Sequence, residues 1–260
     1  MSWASRRRFT YLTGVILFFV IVIGGPIAYW YFTIPPTCSD GIQNQGETAV
    51  DEGGPCLALD PRTLSPHAVL WARSFKVRDG TYTAVAAIQN PNQDAGVADV
   101  SYRFSLYDSD NVLVAEREGD MFIMPGAVTP VLEARIDTGN RIVAHTYFQF
   151  TNPLAWERMH NTASVLGVSG KQLTNTDSVP RLTAIAENSA VTDVLSPVFI
   201  AVVYDGAGNA FAASETQLDR LNAGASANLI FTWPAPFATG AARIDIMPVL
   251  APTAALVTKQ

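Results

Sequence analysis

Val100-Ser101-Tyr102-Arg103-Phe104-Ser105-Leu106-Tyr107-Asp108 and Val198-Phe199-Ile200-Ala201-Val202-Val203-Tyr204-Asp205 decide the fold of this chain. Both runs are rich in β-branched and aromatic residues, and both end on Tyr-Asp. A turn follows each: Ser109-Asp110-Asn111 after the first, Gly206-Ala207-Gly208-Asn209 after the second. Such runs, bounded by turn formers, read as strands. Alternation puts Phe104 and Leu106 on one inward face, with Val203 at the site matching Leu106. Tyr107 packs its ring while its hydroxyl stays wet. Asp108 opens the turn by accepting from backbone amides just ahead of it.

Outward from these runs the chain reads twice through one pattern. Tyr82-Thr83-Ala84-Val85-Ala86-Ala87-Ile88-Gln89-Asn90-Pro91 precedes the first, and Leu182-Thr183-Ala184-Ile185-Ala186-Glu187-Asn188 the second. Asn90 to Gly126 and Asn188 to Gly224 are both 36 residues apart, and each glycine leads into a further strand. Shared spacing on this scale marks a duplicated supersecondary unit. Short strands at 8–12-residue intervals with turn signals predict sandwiches. The fold class expected is an all-β ectodomain of two tandem β-sandwiches, residues 66–151 and 163–251. Residues 152–162 read as a linker or helical turn whose Leu154, Trp156 and Met159 wedge the sandwiches together, and 252–260 as a frayed tail. Separate cores predict that the two sandwiches melt separately.

Ahead of the repeat, Arg6-Arg7-Arg8 precede an uncharged run from Phe9 to Thr37. About 20 apolar residues suffice to cross a bilayer as a helix, so 9–34 reads as a transmembrane anchor after a cytoplasmic stub, 1–8. The arginines predict N-in, C-out, and Tyr29, Trp30, Tyr31 and Phe32 fall where an interfacial aromatic belt forms. The stretch is longer than the core of a cleaved secretory signal, and Pro26-Ile27-Ala28 is a poor cleavage site. Ser5-Arg6-Arg7-Arg8-Phe9 also has the look of a twin-arginine export signal. Gly24-Gly25-Pro26 predicts a kink or an early helix end. Net charge is −6 over 260 residues, and removing the +3 of the arginines leaves −9 on residues 9–260. That charge excludes nucleic acid as a partner.

Residues 35–65 form an acidic juxtamembrane segment holding both cysteines, Cys38 and Cys56. An even count in an oxidising compartment predicts one disulfide, closing a loop of 19 residues for about 3 kcal/mol if unstrained. Asp40, Asn44, Glu47, Asp51 and Glu52 are oxygen ligands of the kind Ca²⁺ prefers, at a spacing unlike an EF-hand. The stretch resembles a short Cys-rich extracytoplasmic module, C-x-D-G-x-x-N-x-x-E-x-x-V-D-C-G-G-x-C, departing from it at Glu52, where the module has a cysteine. The resemblance implies that Asp40, Asn44, Glu47 and Asp51 are metal ligands. The alternative is a solvated spacer.

Phe104-Ser105-Leu106-Tyr107-Asp108 resembles the signature of the FxLYD family, small immunoglobulin-like β-sandwiches of bacterial and archaeal envelope proteins. The resemblance spans about 85 residues. The second copy keeps only Val203-Tyr204-Asp205. Catalytic signals are missing. His67, His145 and His160 each stand alone, Gly167-Val168-Ser169-Gly170 is not a nucleophile elbow, and no phosphate or dinucleotide loop occurs. The function expected is non-enzymatic: a structural, adhesive or accessory-subunit role in the cell envelope, with the bilayer and an unnamed envelope protein as partners and no cofactor beyond the candidate Ca²⁺. The alternative is a ligand-binding or sensory ectodomain acting through a partner membrane protein, which an aromatic pocket between the sandwiches would favour.

Overall fold

A computed structural model describes residues 3–33 and 37–254. The chain end past residue 254 and the side chains of Arg6, Trp30, Tyr31 and Phe32 lie outside the described set. The chain is all-β after one apolar N-terminal helix. That helix runs as α1 (Trp3–Phe19), a π-helical turn (Val20–Gly24) and α2 (Gly25–Thr33). Its segment Arg7–Tyr29 is long and apolar enough to cross a membrane, and its apolar window is unburied among the described residues. The widened turn sits one turn before Pro26, whose ring crowds the carbonyl four residues back and removes a donor. The helix absorbs Gly24-Gly25-Pro26 by a π-bulge and continues.

The first sandwich is built from β1 (Ala68–Arg78), β2 (Thr81–Gln89), β3 (Ala95–Tyr107), β4 (Leu113–Ile123), β5 (Val128–Asp137), β6 (His145–Phe150) and β7 (Glu157–His160). One sheet has the order β1-β2-β5. In the other, β3 pairs with β4 on one side and with β6 and β7 on the other. The second sandwich contains β8 (Leu166–Thr174), β9 (Arg181–Asn188), β10 (Val194–Leu195), β11 (Val198–Tyr204), β12 (Ala210–Gln217), β13 (Arg220–Leu221), β14 (Ser226–Thr232) and β15 (Arg243–Val249). Its main sheets have orders β14-β9-β8 and β12-β11-β15. Strand for strand, β8-β9-β14 repeats β1-β2-β5, and β12-β11-β15 repeats β4-β3-β6.

The duplication extends to single hydrogen bonds. Asp108 Oδ1 accepts from the amides of Asp110 and Val112, and Asp205 Oδ1 from those of Ala207 and Asn209. The Tyr107 carbonyl accepts from Ala144 N, and that of Tyr204 from Ala242 N. Each ladder shifts register just before its tyrosine. Asn90 and Asn188 are both buried and donate through Nδ2 to carbonyls of the facing loop. Gly126 and Gly224 share a positive φ, 58° and 64°, which a side chain tolerates poorly.

Each sandwich has its own core. Phe104, Leu106, Ile88 and Val97 lie in the first, and Phe199, Val203, Leu229 and Phe231 in the second. Leu154, Trp156 and Met159 are not a wedge between the sandwiches. Trp156 is part of the first core and Leu154 packs on it, while Met159 lies against Gly96 in the same sandwich. Residues 157–160 are a strand rather than a helical turn, and Thr253–Ala254 (β16), at the start of the expected tail, pairs with it.

A third cluster belongs to neither sandwich alone. Val85, Ile200, Val202, Tyr204 and Ala210 are buried together, with Trp71, Phe75, Leu132 and Met247 packed around them. It joins the outer face of β1-β2-β5 to the outer face of β12-β11-β15, so four sheets stack in one molecule. Across this joint β1 lies over β12 and β5 over β15, while β6 flanks β1 and β14 flanks β12. The edges of β6, β1, β12 and β14 therefore run down one flank of the stack.

Candidate functional site

Cys38 and Cys56 are joined, with Cα atoms 5.4 Å apart, and Cys56 is buried. The loop between them is knitted by its own acidic side chains. Asp51 accepts from the amides of Asp40 and Gly41 at 3.0 and 3.1 Å. Glu47, 7% exposed, accepts through Oε2 from the amides of Asn44 and Asp51. Asp40 accepts from Asn44 Nδ2 and the amide of Ile42. The Asn44 amide, with the Thr37 and Ile42 backbone N–H groups, holds the Asp40 carboxyl below its ordinary range.

Asn44 Oδ1, in the same loop, is buried without a hydrogen-bond partner among the described residues. Among the described residues, the cluster of Cys, His and acidic donors within 4.8 Å is Cys38, Glu47 and Cys56, and its two sulfurs are spent on each other. The carboxylates of Asp40, Glu47 and Asp51 each accept from main-chain amides of the loop, those of Asp51 across ten and eleven residues. Beyond Cys56 the loop docks on the first sandwich. The amide of Leu59 donates to the Trp156 carbonyl, that of Arg158 to Leu57, and Arg158 Nη2 to the Gly54 carbonyl.

The histidines lie apart. His67 rests on the rings of Phe150 and Trp156, and burial pushes its pKa down. His145 stands exposed at the start of β6, and His160 is exposed on β7. Ser169 donates to the Glu187 carboxylate at 3.3 Å on the open surface of the second sandwich. Tyr102, buried in the first sandwich, donates to Glu133 across the two sheets at 2.5 Å. Burial first, then that carboxylate, raises its pKa.

Two concave features open at the joint. One is a pocket of about 200 Å³ whose aromatic walls are Phe75, Phe211, Trp233 and Phe237, with Pro234 and Pro236 between them. The Trp233 indole is fixed by donating to the Ala213 carbonyl at 3.0 Å. Phe237 stands edge-on to both Trp233 and Phe211, each 5.2 Å away. The other is an open, more polar groove of about 610 Å³ between β1, β6 and the start of β12, and it meets the pocket at Phe75, Lys76 and Phe211. Arg73 spans the joint there, donating to Asn209 Oδ1 at 2.9 Å and to the Ala210 carbonyl. Deeper in, Trp71 and Tyr204 meet edge to face, and Arg243 lies 4.0 Å over the Tyr204 ring.

The strand pattern alone does not single out these pocket residues. The available signal is Trp233-Pro234-Ala235-Pro236-Phe237, an aromatic–proline loop too stiff and too apolar for a plain connection between strands.

No family model matches the chain, and no curated protein matches it. Among solved structures, red sea bream transglutaminase is similar over 72% of this chain at 9% identity and a TM-score of 0.25, and the chain spans about 30% of that protein's length. The N-terminal CBM22-1–CBM22-2 tandem domain of Paenibacillus barcinonensis Xyn10C is similar over 72% of this chain and 91% of its own, at 10% identity and a TM-score of 0.15.

Proposed function

We propose that this protein is a single-pass, N-in/C-out ectodomain of the cell envelope whose work is binding, through the joint between its two sandwiches, on behalf of a partner membrane protein. The aromatic pocket at that joint carries the reading. Binding sites are concave, mostly apolar, and favour the boundary between domains. A rod serving only as scaffold has no need of four aromatic rings around an open cavity. The apolar helix and the disulfide support an anchored, extracytoplasmic setting. The FxLYD resemblance agrees with an envelope location.

The test is site-directed photo-crosslinking in native membranes. A photoreactive residue at Phe237 should capture a partner or ligand, and one at Ile185, exposed on the far sheet, should not. Capture from Ile185 alone overturns the binding reading in favour of scaffolding. Tags before Ser2 and after Gln260 should report inside and outside respectively.

A further inference from the structure

We propose that the groove beside the aromatic pocket takes up an extended, acidic segment of a partner protein as an added strand on β1, with an aromatic or branched apolar side chain seated in the pocket. The proposal rests on reading the joint as a binding site and names the chemistry of what binds.

β1 pairs with β2 along one side only. The outward side of an antiparallel edge strand presents N–H and C=O groups from alternate residues. The β1–β2 register shifts between Val69 and Trp71 and again between Lys76 and Arg78, leaving residues 71–76 as the regular run. The groove is floored by residues 72–76, the same run. A wall rises on each side: β6 on one, tied to the floor by Thr146 Oγ1 donating to Ser74 Oγ at 2.9 Å, and the start of β12 on the other, with Phe211. A strand laid along this floor sends successive side chains to opposite walls. Those on the β12 side reach Phe75, Phe211 and the mouth of the pocket. Those on the β6 side reach His145, Thr146 and Tyr147. Peptide capture by strand addition combines these two elements, main-chain bonds for affinity and alternating pockets for selectivity.

Charge decides the occupant. Arg73 and Lys76 line the groove, Arg78 follows them, and no acidic residue lines it, in a chain whose residues 9–260 carry −9. Among the described residues the Lys76 ammonium pairs with Asp79, whose carboxylate is almost fully exposed, so an incoming carboxylate exchanges for a solvated one. A second copy of this chain, equally acidic, fits the strip of positive charge only through a local acidic edge.

The experiment uses the full chain in nanodiscs and a displayed library of random 12-residue peptides. Enriched peptides should alternate aromatic or branched residues with Asp or Glu. The best of them, made synthetically and followed by fluorescence anisotropy, should weaken about tenfold on Lys76→Glu, the scale of one 1.4 kcal/mol contact. It should also lose binding when alternate residues on one edge are N-methylated, and keep it when the intervening residues are. Tyr147→Glu, exposed on the opposite wall, provides a second variant should Lys76→Glu disturb folding. Enrichment without acidic residues, or indifference to N-methylation, overturns strand addition. Continued crosslinking from Phe237 in that case leaves the binding reading standing, and its loss removes both. Wild-type dimers that dissociate on Lys76→Glu would identify the occupant as a second copy and overturn the partner segment.

Discussion

Asn90 and Asn188 show how much of this fold rests on single side chains. Each is nearly inaccessible and donates through Nδ2 to main-chain carbonyls of two separate segments, Ala95 and Met124 for Asn90, Thr192 and Leu221 for Asn188. Truncating either to Ala strands those carbonyls, which costs about 1–3 kcal/mol per buried group left unpaired. Urea unfolding of Asn90→Ala and Asn188→Ala should therefore show similar losses, and a neutral result at one site would mean that copy has another partner for the loop. His67 gives a pH dependence. Its folded pKa lies below the unfolded 6.5, so the unfolded chain binds more protons as the medium acidifies. Its contribution is complete above pH 6.5 and is lost as pH falls through the lower folded value. His67→Phe keeps the ring contacts and should flatten the decline in stability between pH 7 and 5. Asp51→Asn should loosen the disulfide loop equally in Ca²⁺ and in chelator, read by hydrogen exchange at Asp40 and Gly41, because its carboxylate serves amides.

At the scale of elements, β3, β4 and β5 are clasped by Tyr102 and Glu133 in a space kept open by Gly119. A Cβ there would lie 2.5 Å from the Tyr102 hydroxyl and 2.9 Å from Glu133 Oε1. Gly119→Ala should cost about 1–3 kcal/mol, the usual penalty of overpacking, and less when combined with Tyr102→Phe, as a double-mutant cycle in urea would show. Leu106→Ala, at a fully buried site, should cost about 2–5 kcal/mol. The strands, their inward faces and the Asp108 turn were legible because period-2 alternation and turn chemistry are local properties. The joint was legible only in a weaker sign. β2 is buried at seven consecutive residues and β11 at six, whereas β9 alternates. An unbroken apolar run marks a strand covered on both faces, but a run this short is also compatible with a single-sided strand rich in alanine. The docking of residues 57–59 on β7 left no sequence signal, because it uses main-chain groups.

For the whole molecule, the joint decides cooperativity. Two sandwiches with separate cores melt separately, while these share Val85, Ile200, Val202 and Tyr204. We expect one calorimetric transition in the native protein and two after Val202→Asp, which buries an unpaired charge at the joint. A wild-type thermogram already split in two would show the shared cluster to be too weak to couple the copies. The stacking is head to tail: the β1-β2-β5 face of one copy meets the β12-β11-β15 face of the next. The equivalent outer faces are more mixed: Arg103 pairs with Glu118 and Ser105 bonds to Glu116 at one end, and Thr183 and Glu187 flank the exposed Ile185 at the other. The disulfide, finally, works as a ruler. Its cysteines lie 18 positions apart, a length that fully extended reaches about 60 Å, and the bond reduces that reach to 5.4 Å. Since the chain is clamped to the first sandwich directly after Cys56, oxidation draws that sandwich toward the start of the loop, next to the N-terminal helix. In a reducing environment only the loop's hydrogen bonds hold that length in, so the thiol state of one pair sets how far from the helix end the first sandwich can stand.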